Sequence, residues 1–469
     1  MTHRIVVVGG GISGLAAVHR LTEFKRERNL PVELTLLEAG ERLGGVISTE
    51  RKEGFLIEAG PDSFITEKPW ALQLCDRVGL TPRLISTNPN QRSVYVVHKG
   101  ALEPLPDGFV LLAPTRVWPL LRTPIFSWRG KLRMALEPFI GRRDADGDES
   151  LASFVRRRFG PEVLERVAQP LVGGIYGADP EKLSLGATMP RFLTMEQSRG
   201  SVIRALWAEQ RSRGRQEGSG ARWSLFVAPR DGMRDIVDAL AARLPTETVR
   251  LGSKVVSLSR DGANLTWRIT TSQGEISASG LILALPPWSS ASLIAPFAPE
   301  LARELQAIPY SSTATVNLAY RKEQIPRPLD GFGFVVPAIE GRKIIACSFS
   351  SVKYSDRAPA GFVLLRLFVG GALQPELFAQ DDATMEEAVR QELAALLGIN
   401  TPPLFRRIHR HPRSLPQYEV GHLDLVRRVE GHLAHFPGLA LAGNAYRGVG
   451  VSDCVRSGEE AAERVLAAI

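Results

Sequence analysis

The chain has 469 residues, enough for two or three domains and a large core. Its 44% hydrophobic and 23% charged residues are ordinary for a globular protein, and a net charge of +8 favours anionic partners. No compact Lys/Arg tract supports nucleic acid, and Cys75, Cys347 and Cys454 lie too far apart for a disulfide framework or a zinc site. A reducing cytoplasm fits that cysteine usage. No apolar run reaches about 18 residues, so no spanning helix is expected. The stretch IVVVGGGISGLAAV imitates a signal core, but its glycines form a phosphate-loop pattern and no cleavage site follows.

Residues 4 to 9, RIVVVG, read as a buried strand. A helical pattern then runs from Ile12 to about Glu27, and VELTLLEA, 32 to 39, is a second strand. This βαβ opening predicts a parallel sheet. WALQLCDRVG, 70 to 79, is a short helix ending at Gly79, and SVYVVHKGALEPLP is a hairpin turning at Lys99-Gly100. From about 108 to 218 the pattern is mostly helical, with a polar Gly-rich loop expected over 211 to 222. Within it, PLVGGIYGADPEKLSL, 170 to 185, interrupts an apolar helical stretch. That marks either a tight turn or the close approach of something flat to the main chain. Strands resume over 254 to 285, with turns at Asp261-Gly262 and Gln273-Gly274. TATVNLAYR and GFVLLRLFVGG are further strands, and 382 to 398 is an amphipathic helix closed by Gly398. A GLALAGNA strand, a glycine turn and a helix come last. Sheet signals at both ends predict a nucleotide domain assembled from distant segments, with other domains inserted.

Gly9, Gly11 and Gly14 form G-x-G-x-x-G directly after a strand and opening a helix. The first turns the chain, the second lets a pyrophosphate approach, and the third lets the helix pack on the sheet. The helix N-terminus offers free N–H groups to phosphates. Glu38 ends the second strand, where its carboxylate can take both ribose hydroxyls and repel a 2′-phosphate. The continuation EAGERLGGVIST and then IEAGPDSF resembles the FAD-dependent amine oxidase superfamily. That resemblance implies FAD held by Gly9, Gly10, Gly11, Ile12, Ser13, Gly14, Glu38, Ala39 and Val255. It places Arg42, Gly45 and Val46 near the phosphates, and Gly60, Pro61, Asp62 and Ser63 near the flavin ring. In GLALAGNAYRGVGVSDC the last helix would point its N-terminus at the flavin pyrimidine edge, with Gly448, Val449, Gly450 and Val451 against the ring. A helix N-terminus there stabilises the negative charge of reduced flavin. Ser452 or Asp453 can cap it.

VVGGGISGLAA, EAGPDSF, PLVGGIYGADPEKLSL, LPQYEVGH and GVGVSDC together resemble the oxygen-dependent protoporphyrinogen and coproporphyrinogen oxidases. The fold class implied is α/β. A Rossmann-like FAD-binding domain would comprise 1–80, 222–294 and 431–469; an α+β substrate-binding domain, 81–107 and 295–430; and a mostly helical domain, 108–221. The implied reaction is a six-electron oxidation of a porphyrinogen in haem biosynthesis, in three two-electron steps, with oxygen reoxidising the flavin and yielding peroxide. Family positions place the carbonyl of Gly174 against the pyrrole N–H groups, where glycine leaves the approach open. They place Phe368 on a pyrrole ring, Val335 in the wall and Arg92 near a propionate. Lys68 is a further carboxylate anchor. His411 stands where the family commonly has a tryptophan against flavin, and Ser348 replaces a leucine wall.

Residues 108 to 143 mix apolar and Trp residues with Arg and Lys. That pattern reads either as a basic amphipathic surface on anionic lipid or as a helical subdomain with a basic outer face. The chain is accordingly expected in the cytoplasm, with a peripheral place on the inner face of the cell membrane left open. So are a homodimer, handover to the next haem-pathway enzyme, and the choice between coproporphyrinogen III and protoporphyrinogen IX. The rival readings are an amine or carotenoid oxidoreductase of the same superfamily and a non-catalytic flavoprotein scaffold.

Overall fold

The computed structural model describes residues 3–110, 113–114, 116–143, 147–213, 225–261 and 266–469. The elements that build the site, in chain order, are β1 (His3–Val8), α1 (Ile12–Glu27), β2 (Val32–Leu37), β3 (Ser93–His98), β4 (Ala101–Pro104), α2 (Gln169–Tyr176), β5 (Val249–Arg250), β6 (Gly280–Leu283), β7 (Tyr310–Arg321), β8 (Gly331–Val335), β9 (Ala346–Phe349), β10 (Phe362–Gly370), β11 (Phe405–Pro416), β12 (Leu439–Leu441) and α3 (Val451–Ala467).

A five-stranded sheet runs in the order β5-β2-β1-β6-β12. Every neighbouring pair in it is parallel. Ile5, Val6, Val7 and Val8 are all buried, as a central strand covered on both faces requires. One face is covered by α1 and α3. At their crossing a methyl on Gly458 would come within 2.1 Å of the Ser13 carbonyl oxygen, so only a hydrogen side chain permits that approach. The other face is covered by an antiparallel meander of Val255–Arg260, Trp267–Thr271 and Gly274–Ala278, with Trp267 fully buried beneath it. A second, seven-stranded sheet follows the order β11-β7-β10-β9-β8-β3-β4. It is antiparallel except where β8 meets β3. Between residues 117 and 213 short helices bury a separate core that includes Phe154, Phe159, Val163 and Leu185.

Several expectations shift. β1 and β2 end at Val8 and Leu37, one and two residues short of the sequence reading; Gly9 leaves the first strand at φ +105°. The hairpin turn at Lys99-Gly100 stands, with φ of +52° and +77° as a two-residue hairpin turn demands. The later turn falls on Ser272-Gln273 rather than Gln273-Gly274, since Thr271 pairs with Gly274. The stretch beginning at 108 opens with a small ribbon, Phe109–Val110 against Ala113–Pro114, before its helices. The Val202–Arg213 helix reaches into the expected 211–222 loop, whose remainder, like Gly262, lies outside the described residues. The largest correction concerns residues 170 to 179. The helix is not interrupted at Gly173 and Gly174: α2 runs through both and stops at Gly177, which adopts φ +54°. Burial of Val172 and Gly173 holds the helix despite the glycine cost. A π turn over Leu164–Ala168 leads directly into it.

Candidate active site

The first wall is the G-x-G-x-x-G turn. A methyl on Gly14 would lie 1.9 Å from the Gly9 carbonyl oxygen, and one on Gly9 would lie 2.4 Å from that of Ala284. These two glycines therefore lock strand, turn and helix together. A methyl on Gly11 would meet nothing within 4 Å, so this glycine faces open space. Gly11 caps α1 with no side-chain bond, which leaves the N–H groups of Ile12, Ser13 and Gly14 without helical partners. Glu38 Oε2 accepts the Gly10 N–H and Oε1 the Gly40 N–H, each at 2.7 Å. A carboxylate has about four acceptor sites, so capacity remains for ribose hydroxyls. Gly44 N–H donates to the Gly10 carbonyl at 2.8 Å and folds residues 39 to 46 across the start of α1. Arg42 donates to the Gly45 and Ile47 carbonyls at 2.8 and 3.2 Å, holding that loop. Ala39, Gly45 and Val46 are exposed along it, whereas Val255 is buried with Val8 and Leu37 and can reach the cradle only through its main chain.

The second wall is the loop from Ala59 to Ser63. A methyl on Gly60 would come within 2.0 Å of the Val46 carbonyl oxygen, so the loop lies flush on the first wall. Ala59 N–H donates to the Ser48 carbonyl at 2.9 Å. The Ala59 carbonyl accepts Thr315 Oγ1 at 3.1 Å and His411 Nε2 at 2.8 Å. Because the acceptor is a carbonyl, His411 must carry its proton on Nε2. Arg366 Nη2 donates to the Gly60 carbonyl. Asp62 accepts Ser63 Oγ at 2.7 Å and pairs with Lys353 at 2.9 Å. Burial pushes its pKa up, but Lys353 and Arg366 overcome that and hold the carboxyl well below the usual carboxylate range. Pro61 is half-buried between these anchors.

The third wall is the turn before α3. Gly448 has φ +137°, and Gly450 caps the helix without a side-chain bond. Tyr418 Oη accepts the Gly448 N–H at 2.8 Å and donates to the Asn444 carbonyl at 2.5 Å. The Tyr418 ring stacks on His422 at 3.9 Å, and His422 Nε2 lies 2.9 Å from the Tyr446 carbonyl. Val449 packs against the same core as Val335 and Tyr176. Lys68 Nζ contacts both carboxylate oxygens of Asp453, at 2.9 and 2.7 Å. It is thus engaged within the wall rather than free at a rim.

These walls meet one face of the seven-stranded sheet. Cross-strand partners share a face, and the register gives one row of Val335, Ala346, Phe368, Thr315 and His409. Val335 lies beside Gly174: a methyl there would stand 3.9 Å from Val335 Cγ1 and meet nothing else within 4 Å. Thr315, three strand spacings or about 14 Å away, bonds to Ala59 of the second wall. The next row holds Ser348, Arg366 and Asn317, and Ser348 adds a weak bond to the Phe332 carbonyl at 3.4 Å. Phe368 is half-buried under the Arg366 guanidinium, 5.0 Å from its ring. At the end of α2 the Gly173 carbonyl takes the Gly177 N–H, and no donor to the Gly174 carbonyl is found among the described residues. Gly174 is exposed. Arg92 is exposed four residues before Val96, the partner of Val335, which sets it about 13 Å along the strand from the row.

The family model for flavin-containing amine oxidoreductases matches residues 12–466. The chain belongs to the flavin-containing amine oxidoreductase family. As a member of that family it is an oxidoreductase enzyme with FAD as its cofactor. It is 33% identical to coproporphyrinogen III oxidase of Bacillus subtilis over 98% of this chain and 97% of that protein. It is 32% identical to protoporphyrinogen oxidase of Bos taurus over 99% of each. A crystal structure from Exiguobacterium sp. 255-15 superposes with TM-score 0.86 at 32% identity, covering 99% of this chain and 98% of that one. The residues of this flavin-containing amine oxidoreductase fit FAD. Free N–H groups at the start of α1 would meet a pyrophosphate, the Glu38 carboxylate would take the ribose hydroxyls, and Gly11 lies open where a side chain would obstruct.

Proposed function

We propose that this enzyme oxidises a porphyrinogen, coproporphyrinogen III or protoporphyrinogen IX, to the porphyrin in haem biosynthesis. One observation carries the reading. A single sheet face links the unpaired carbonyl region of α2 at Gly174 to the flavin-motif loop at Ala59, through Val335, Ala346, Phe368 and Thr315. Val335 and Phe368 offer apolar surface to a flat macrocycle. The Gly174 carbonyl accepts the convergent pyrrole N–H groups, which orients the ring and draws proton density from the nitrogens that must lose protons. Arg92 serves a propionate at the outer rim. The cofactor set is the three walls described above, with His411 holding the flavin loop through Ala59. Bound FAD supplies a two-electron acceptor, with oxygen as the terminal acceptor and peroxide as its product.

The test is anaerobic mixing with each porphyrinogen. Bleaching of the flavin, then recovery in air with porphyrin fluorescence and peroxide, is the expected result. A colour that neither substrate bleaches would overturn the reading and leave the scaffold or amine-oxidase alternatives. The two values of kcat/KM identify whether the four-propionate or two-propionate ring is the better substrate.

We also propose a peripheral contact with an anionic lipid surface. Trp118, Trp128 and Phe139 are 72%, 71% and 80% exposed, and Leu132 and Leu136 extend the same apolar region. A cleft lined by Leu120, Trp128, Leu132 and Trp207 opens in this region. Arg116 and Lys131 line it, and Arg122 and Arg129, in the same stretch of sequence, are exposed. Aromatic side chains with basic neighbours suit a headgroup layer. No helix among the described residues is long and apolar enough to cross a membrane.

A further inference from the structure

Asp453, in the first turn of α3, bends back toward the turn that precedes it. Its carboxylate takes the Gly450 N–H at 3.4 Å. A methyl on Gly448 would fall 2.2 Å from its carboxylate carbon, so the side chain lies directly on that glycine. A carboxylate therefore occupies the inside of the turn that, in the cofactor set of the proposed function, the family resemblance places against the flavin pyrimidine edge. Asp453 is only 4% exposed, so water screens it poorly. Helix N-termini favour negative charge, but two anions at one terminus repel each other. The second is the charge the cofactor gains on reduction.

Lys68 is built into the same turn. Its ammonium meets both Asp453 oxygens at 2.9 and 2.7 Å, while its carbonyl accepts Ser452 Oγ at 3.2 Å. Main chain and side chain of one residue thus grip the start of α3. The other nearby cation, Arg456, stands 3.9 Å from Asp453. Its guanidinium is committed elsewhere, to the Arg447 carbonyl at 2.8 Å and over the Trp70 ring at 4.4 Å.

We infer that Lys68 is a positioning residue that sets the reduction potential of the bound cofactor by neutralising Asp453, and is not a direct anchor for a substrate carboxylate. The inference rests on the proposed function's placement of the flavin. Two measurements on FAD-loaded protein test it: the midpoint potential, and the affinity for sulfite, whose flavin adduct places the same negative charge in the ring. Lys68→Met should weaken sulfite binding about tenfold and lower the potential by about 30 mV, the two-electron equivalent of tenfold. Asp453→Asn, which keeps the shape against Gly448, should move both quantities the opposite way, and the double variant should return toward the parent. Lys68→Arg should keep parental values. KM for coproporphyrinogen should stay within about twofold in Lys68→Met.

Unmoved potentials in both single variants, or shifts of the same sign, would overturn the inference. So would a raised KM with an unchanged potential, which would return Lys68 to the substrate rim. If Lys68→Met fails to retain FAD, Asp453→Asn alone decides by the sign of its shift. Failure of the functional reading looks different, because the parent enzyme would then not bleach with either porphyrinogen.

Discussion

Gly174 faces open space with Val335 as its one neighbour at van der Waals distance. A leucine there can be accommodated by the fold and would occupy the face in front of Phe368. Gly174→Leu should therefore retain FAD and melting temperature while turnover falls at least about 100-fold, the scale of losing substrate orientation. Parental kcat in that variant would remove the carbonyl-acceptor role. His411 gives a second prediction at this scale. Burial lowers its imidazole constant below the ordinary 6.5, outweighing the hydrogen bond to Ala59 that raises it. The unfolded chain takes up this proton first as pH falls, so stability is lost as pH drops through 6.5 toward the lower folded value. His409 and His422 are depressed by burial as well and steepen the same slope. The melting temperature should fall from about pH 7.5 to about pH 5.5, and less so in His411→Gln, which keeps a donor for Ala59. Equal slopes in the two proteins would dissociate His411 from the effect.

At the level of elements, the segment from Gln417 to His422 ties three parts of the site together. Gln417 Nε2 donates to the Tyr176 carbonyl at 3.2 Å at the end of α2. Tyr418 holds the turn before α3, and its own carbonyl takes the Ser184 N–H at 2.7 Å. Tyr418→Phe removes both hydroxyl bonds and leaves the half-buried Gly448 N–H and Asn444 carbonyl unpaired. It should cost roughly 1–3 kcal/mol and loosen FAD, read by denaturant titration and by cofactor release on dilution. The elements themselves were largely legible in the sequence. IVVV and VELTLL are β-branched or leucine-rich runs with glycine stops, and Lys99-Gly100 is strong turn chemistry. The pairing between elements was not. Nothing in RLFVGG says that Phe368 stands between Ala346 and Thr315, because register is a long-range choice. Arg366 and Thr315 escape sequence reasoning for the same reason, since their partners, the carbonyls of Gly60 and Ala59, lie 306 and 256 positions away. The sequence reads Lys68 as an anchor for a substrate carboxylate, because its partner in the fold, Asp453, is 385 residues distant. The interruption expected within 170 to 185 falls at Gly177, while the glycine pair of α2 stays helical because packing overrides local propensity.

For the molecule as a whole, the apolar and aromatic surface around Trp118, Trp128 and Phe139 is an expensive feature for a protein wholly surrounded by water. Co-sedimentation with phosphatidylglycerol-rich vesicles should exceed that with phosphatidylcholine vesicles and weaken with salt. Trp128→Glu with Phe139→Glu should abolish it without changing kcat on a dispersed substrate. Retention of binding in that double variant would place any lipid contact elsewhere.

The parallel sheet also governs when a nascent polypeptide can acquire its coenzyme. β1 and α1 emerge early from the ribosome, but β12 and α3, which complete the sheet and lie across α1, are translated more than 400 residues later. Until then Gly458 is not there to meet Ser13, and the glycine turn before α1 lacks the helix that packs beside it. Loading must follow synthesis, and a translation product stopped before residue 439 should emerge colourless however much riboflavin derivative the cell supplies.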